Sequence, residues 1–296
     1  MVKTEATLSR SRAEWLLAFV ILARSISFVM TKTALQYTNT FSLLGIRFLC
    51  AFLLLLLIGW KRLRGISRAT LLRGMLLGGA FFSVMAAEVQ GLKTANASTA
   101  AFLENTAIVF VPLFEAVLRR RFPRLPVLAS VAISLCGVAL LTLKGGVLAL
   151  SGGELYCLLA AMLYASAIIL TDRISKRDDP LVLGMLQVGF IGAYSMVAAC
   201  VLQTPKIPTQ ALPWAMILAL AVICTGFGFT LQPLAQSGTT AERAGLFCAL
   251  GPVGATISGV IFLHERLEIT GMMGIALILG AMVFSNLQAK KQMGQG

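Results

Sequence analysis

Among the ionisable residues inside apolar runs of some twenty residues are Arg24, Arg47, Glu88 and Glu104. A charge at the centre of a bilayer costs roughly 2.5 to 3.5 kcal/mol on insertion scales, so such residues face a protein interior and mark a pathway, a partner or a proton relay. Arginine grips a carboxylate through two parallel N–H groups, and a glutamate accepts from an ammonium. Together the four suit a zwitterion. Arg47 and Glu104 each lie seven residues into their runs, about 10 Å below the same interface at 1.5 Å per residue. They read either as a static ion pair or as two arms of a binding site. Arg24 lies deeper, has no partner fixed by sequence, and reads as a substrate ligand. Glu104 and Glu88 are also the candidates to carry a coupling proton. On a continuous helix Ala97, Glu104, Ile108, Val111 and Glu115 share one face, which would line the cavity, and Glu115 lies four residues before Arg119 in position for a local ion pair.

These residues need a scaffold of spanning helices. Of the 296 residues 58% are hydrophobic and 12% charged, with a mean hydropathy of +0.87, against about 25% charged residues in a soluble domain. Apolar runs of about the length that crosses a bilayer fall at 13 to 32, 41 to 60, 71 to 91, 97 to 118, 125 to 143, 153 to 171, 180 to 202, 212 to 234, 239 to 262 and 269 to 288. The expected fold is an all-α integral membrane protein with ten transmembrane helices and no soluble domain. With the N-terminus inside, seventeen Lys and Arg fall on the cytoplasmic side and five on the other, so the positive-inside rule places both termini in the cytoplasm and the chain in the cell (inner) membrane. The net charge of +13 is loop charge of this kind, and nucleic acid is not an expected partner. Six cysteines scattered singly through apolar runs have no metal-ligand spacing. No metal site and no cofactor are expected.

Sliding the chain against itself by 140 residues sets Glu14 on Glu154, Asn39 on Asp179, Arg47 on Gln187, Thr99 on Thr239 and Pro112 on Pro252. The chain reads as a duplicated five-helix unit: a cytoplasmic tail at 1–12, repeats at 13–145 and 146–288, and a second tail at 289–296. Five is odd, so the second copy enters the membrane in the opposite sense. Such inverted-topology repeats characterise secondary transporters with a site near the midplane between the repeats. The mates of Arg24, Arg47, Glu88 and Glu104 are Tyr164, Gln187, Gly228 and Ala244, which puts the charges in the first repeat alone. Phe28, Tyr164, Phe227 and Phe229 could floor the cavity, with Gln187 beside them. Gly251-Pro252 and Pro112 are hinge candidates, since proline removes a backbone hydrogen bond. Pairs such as Gly74 and Gly78 let helices approach closely.

Several segments carry a resemblance: Arg47-Phe48, the stretch from Gly91 to Ala101, Pro112, Leu250-Gly251-Pro252, and Glu265-Arg266-Leu267. In order and across both halves, the chain resembles an EamA-type member of the drug/metabolite transporter superfamily. The resemblance implies a ten-helix alternating-access carrier of small organic solutes, often an exporter. Arg24-Ser25 stands where the family usually has Trp-Gly, and Arg121-Phe122-Pro123 ends the first half where the second has Glu265-Arg266-Leu267.

An enzyme is not expected: no His-Glu-x-x-His or Gly-x-Ser-x-Gly occurs, no catalytic residues are assigned, and the single histidine, His264, lies in a loop. No filter motif of a channel is present. The expected function is a secondary transporter that exports an amino acid or similar zwitterion across the cytoplasmic membrane, as a monomer or loose homodimer, with protons as the candidate coupling ion. A multidrug exporter of cationic compounds is the alternative, and a membrane scaffold lies behind both.

Overall fold

The computed structural model describes residues 10–118, 120, 125–144, 147–148, 151–175, 178–237, 250–264 and 269–293. Its helices are α1 (Arg10–Ala34), α2 (Thr40–Leu63), α3 (Arg68–Gly91), α4 (Ala97–Asn105), α5 (Ala107–Leu118), α6 (Leu125–Thr142), α7 (Gly152–Ser175), α8 (Pro180–Leu202), α9 (Ala211–Ala219), α10 (Gly228–Ser237), α11 (Leu250–Leu263) and α12 (Ile269–Met293), with a π-helical segment, Leu220–Phe227, joining α9 to α10. Seven spans among the described residues are long and apolar enough to cross a membrane, from Trp15–Ala34 to Ala211–Gln232, and three shorter apolar helices follow the same order at Leu128–Gly137, Gly254–Leu263 and Ile269–Ala281.

Two details correct the sequence reading. The span at 97–118 is divided at Thr106, whose amide bonds back to Leu103, so its side chains do not keep one continuous wheel. The last helix runs past residue 288 to Met293. The connection between the halves carries a short antiparallel pairing, Leu143 with Leu148 and Lys144 with Val147, within an all-helical fold. Thr239, Ala244, Glu265, Arg266 and Leu267 lie outside the described residues.

The distribution of side chains is that of a protein dissolved in lipid. Leu57 and Ile58 are 82% and 86% exposed, while Thr31, Arg47, Glu88, Glu104, Gln187 and Thr225 are buried. With no water in the hydrocarbon region, polar groups must find partners inside the bundle, and the apolar ones face outward without penalty.

Exchanging the two halves leaves the packing unchanged in kind. α2 packs on its mate α8 and α6 on its mate α12; α3 packs on α7 as the π segment and α10 pack on α1; α4 packs on α7 as α11 packs on α1. Both α2 and α8 start at a capped position fixed by sequence: Asn39 accepts from the Ser42 amide, and Asp179, followed by Pro180, accepts from the Leu181 amide. The two helices run antiparallel, because the start of α2 meets the segment after α8 and its end meets Asp179. At the first of these ends Asn39 Nδ2 donates to the Thr204 carbonyl at 2.7 Å and Thr38 to the Lys206 carbonyl at 2.6 Å. At the other, Asp178 takes Arg73 at 2.7 Å and the Thr70 hydroxyl at 2.8 Å. Small residues allow the close packing: a Cβ on Gly78 would stand 2.5 Å from Phe190 Cβ on α8.

Candidate functional site

Between the two halves lies a cavity of about 50 Å3, room for on the order of four water molecules. α1 contributes Arg24 and Phe28 to its wall, α2 Arg47, α3 Glu88, α4 Glu104 and Asn105, α7 Tyr164, α10 Phe229 and α11 Gly251. All four charged residues singled out in the sequence, with Phe28 and Tyr164, line this one space. Counting along single helices puts only Arg47 and Glu104 at one depth; the packing adds Arg24 and Glu88 to the same space.

Their partners differ from the expected ones. Arg47 and Glu104 form no ion pair. Arg47 Nε donates to the Thr225 hydroxyl at 2.6 Å, its Nη1 lies 3.4 Å from the Thr31 hydroxyl, and its guanidinium lies 5.4 Å from the Phe48 ring centre. Glu104 is instead hydrogen-bonded to Glu88. Two carboxyl groups in such contact can share a proton, since a carboxylate by itself only accepts. Glu104 is 4% exposed, and its Oε2 has no hydrogen-bond partner among the described residues. A buried oxygen without a partner loses its hydration for nothing in return, and this one belongs to a residue of the cavity wall.

Arg24 is held on several sides. Its Nη1 donates to Gln232 Oε1 at 2.5 Å, its guanidinium stacks 4.4 Å from the Phe229 ring centre, and it hydrogen-bonds the Tyr164 hydroxyl. Gln232 Nε2 donates to the same hydroxyl at 3.1 Å. The arginine's stem fits because residue 228 is glycine: a Cβ there would stand 2.9 Å from Arg24 Cγ. Behind the cavity, Phe229 makes edge contacts with Phe48 at 5.3 Å and Phe81 at 5.8 Å, and Phe81 touches Tyr164 at 6.0 Å.

Other expected residues fall elsewhere. Phe227 is 55% exposed and off the cavity, whereas its neighbour Phe229 is buried on it. Gln187 is buried on α8 but does not line the space, and its Oε1 has no partner among the described residues. Glu115, on α5 beyond the division at Thr106, does not reach the cavity either. Gly251 does, with its Cα side toward Asn105 and Ile21; Pro252 follows it in α11 and Pro112 sits within α5.

Gln232, Thr225, Asn105 and Ser25 are the residues that sequence reasoning passed over. Gln232 and Asn105 left a signal, an amide within an apolar run. The π segment left none: it adds a residue per turn, which turns Thr225 toward Arg47, and Gly226 within it has no Cβ to meet the Ala221 carbonyl at 3.1 Å.

Comparison with known proteins agrees with the arrangement in two halves. The model of the EamA-like transporter family matches twice, over residues 11–143 and 151–287. An uncharacterized transporter of Archaeoglobus fulgidus is 26% identical over 282 residues, covering 91% of this chain and 96% of its own. The uncharacterized transporter YetK of Bacillus subtilis (strain 168) is 24% identical over 296 residues, covering 93% and 88%. A crystal structure at 19% identity aligns with a TM-score of 0.69 over 96% of this chain and 99% of the other, a likeness of fold alone. With both halves matched and seven apolar spans around a polar interior, the chain is a multi-pass membrane transporter that belongs to the EamA-like transporter family.

Proposed function

We propose that the protein is a secondary carrier of an amino acid or similar zwitterion, exporting it by alternating access. The observation that carries this reading is the charge arrangement of the cavity: two arginines and two carboxyls share its wall, yet the arginines are held by Gln232, Thr225 and Thr31, and Glu104 Oε2 has no partner. Charges of both signs are thus held without being spent on each other. A solute carboxylate would meet Arg24 and Arg47, and its ammonium would meet Glu104 and Glu88, whose shared proton makes H+ the coupling ion that fits. Phe28, Tyr164 and Phe229 would form the apolar floor.

In this reading the three shorter apolar helices also cross, which gives ten spans in two inverted five-helix repeats, and the Arg-rich end of the bundle faces the cytoplasm of a cell with this protein in its inner membrane. A space of about 50 Å3 admits a solute only if its walls part. The polar ties between the halves at each end of α2 and α8 are the contacts that would open in turn.

Counterflow in proteoliposomes tests the reading, because a carrier exchanges labelled for unlabelled solute where a scaffold does not. Screened over amino acids, nucleosides, sugars and lipophilic cations, the unaltered protein is expected to exchange amino acids, and Arg24→Ala to lose that exchange while remaining monodisperse in detergent. Exchange of lipophilic cations alone, indifferent to Arg24, would replace this reading with that of a cationic-drug exporter.

A further inference from the structure

We infer that Gln232 is an internal stand-in for the carboxylate of the substrate: its side-chain oxygen occupies Arg24 while the site is empty and is displaced when an amino acid binds. The inference rests on the zwitterion reading and goes beyond it, since it names the residue that sets how tightly a carboxylate is held.

The geometry carries it in three steps. A guanidinium in the middle of a membrane protein needs a partner at all times, because an uncompensated buried charge is strongly destabilising. Gln232 Oε1, 2.5 Å from Arg24 Nη1, supplies one, and it is oriented for this by its other end, since Nε2 donates to the Tyr164 hydroxyl at 3.1 Å. That bond fixes which atom of the amide faces the arginine.

A carboxamide holds the arginine without neutralising it. It offers a single neutral oxygen where a carboxylate offers two charged ones, and hydrogen bonds between two ionised groups are the stronger kind. An arriving carboxylate therefore outcompetes the amide, whereas a glutamate at residue 232 would not yield.

The exchange leaves the arginine in place. Phe229 stacks on its face at 4.4 Å, the Tyr164 hydroxyl holds it from α7, and the missing Cβ of Gly228 seats its stem. Gln232 stands behind the cavity wall and not on it, so in the exchange it swings off the Arg24 edge that the carboxylate then takes. Gln232 belongs to α10, so the same displacement releases a side chain of the second repeat from a charge of the first.

Binding of the twenty proteinogenic amino acids to the full-length protein in detergent, read by thermal shift and by equilibrium binding of the labelled hit, tests the assignment. Gln232→Glu is expected to raise the melting temperature without ligand and to weaken amino acid binding at least tenfold, because Arg24 then carries a permanent carboxylate. Gln232→Met, which keeps length but removes the oxygen, is expected to lower the melting temperature without ligand and to tighten binding about tenfold. Should Gln232→Met fail to fold, Gln232→Glu decides alone. Binding by Gln232→Glu at the affinity of the unaltered protein overturns the assignment, as does unchanged or weaker binding by a folded Gln232→Met. If Arg24→Ala abolishes binding while both Gln232 variants match the unaltered protein, the zwitterion reading stands and the stand-in role falls. If no amino acid binds the unaltered protein, both fall.

Discussion

The first and second halves of this chain share a backbone plan and divide the chemistry. α2 and α8 start at related caps, Asn39 and Asp179, and pack on each other, while α3 meets α7 much as the π segment and α10 meet α1. At the cavity the likeness stops. Arg24, Arg47 and Glu88 of the first half have Tyr164, Gln187 and Gly228 as mates in the second. The second half answers the two arginines with complementary groups: Tyr164 and Gln232 give Arg24 its hydrogen bonds, Thr225 takes Arg47, and Gly228 leaves room for the Arg24 stem. Duplication supplied the frame. The division of labour at the cavity makes one asymmetric polar space from two similar halves, because charges at the same positions of both repeats would confront like with like.

The comparison breaks most severely at Gly228. Gly228→Ala brings a Cβ within 2.9 Å of Arg24 Cγ and 3.1 Å of its Cδ, midway along a side chain whose far end is already held by Gln232 and Tyr164. Overpacking of this kind costs about 1 to 3 kcal/mol. The expected result is a folded protein with a lowered melting temperature and solute binding reduced at least a hundredfold, since the guanidinium must leave its place. Gly228→Glu, which makes the second half copy the first, adds a buried carboxylate to the same clash and is expected to yield no monodisperse protein. Wild-type binding by Gly228→Ala would show that Arg24 has slack the geometry does not suggest.

A smaller effect is expected at Glu104, whose carboxyl lies next to Glu88 with one oxygen unpartnered. Glu104→Gln keeps the size and can donate to Glu88 in place of the shared proton. Melting temperature in detergent is expected to stay near that of the parent, while proteoliposomes lose uptake driven by a pH gradient and keep counterflow at roughly tenfold lower affinity, the scale of one lost charge-assisted hydrogen bond. Unimpaired pH-driven uptake would remove Glu104 from coupling. Collapse of the fold would mean that the carboxyl pair is a structural element.

Much of this was legible in the sequence because membranes make it so. An apolar run must be a helix, and a charge inside one must face inward, so counting residues from an interface placed Arg47 and Glu104 at one depth, and both line the cavity. Depth does not give azimuth. Arg47 bonds Thr225, a residue of the π segment, and Phe229, on the cavity, stands two residues from the exposed Phe227 and so on the opposite side of the helix. The wheel through Ala97, Glu104 and Glu115 failed for a related reason, the division at Thr106. The caps were readable only as a matched pair of positions, Asn39 and Asp179, without the partners they take. Gln232 was an amide in an apolar run, and only the packing of α10 on α1 and α7 shows what it is for.

The mildest test compares the two caps. Each ends an antiparallel pair, α2 on α8, so the two lie at opposite ends of helices of 24 and 23 residues, roughly 35 Å apart at 1.5 Å per residue. Removing an N-cap costs about 1 kcal/mol, so Asn39→Ala and Asp179→Ala should each lower stability by about that much in unfolding from mixed micelles. At this separation the double variant should equal the sum to within about 0.5 kcal/mol. The losses should not be equal. Asn39 also donates to the Thr204 carbonyl at 2.7 Å, a second hydrogen bond that joins the halves, whereas the second contact of Asp179 is Arg62 at 3.4 Å with both side chains partly exposed, a geometry that contributes little. Asn39→Ala is therefore the more damaging of the two, and Asp179→Asn, which keeps the cap and gives up the ion pair, should be nearly silent. A loss from Asp179→Asn as large as that from Asp179→Ala would assign the stability at this end to the ion pair and not to the cap, and the likeness between the two helix starts would then be one of position without a shared physical role.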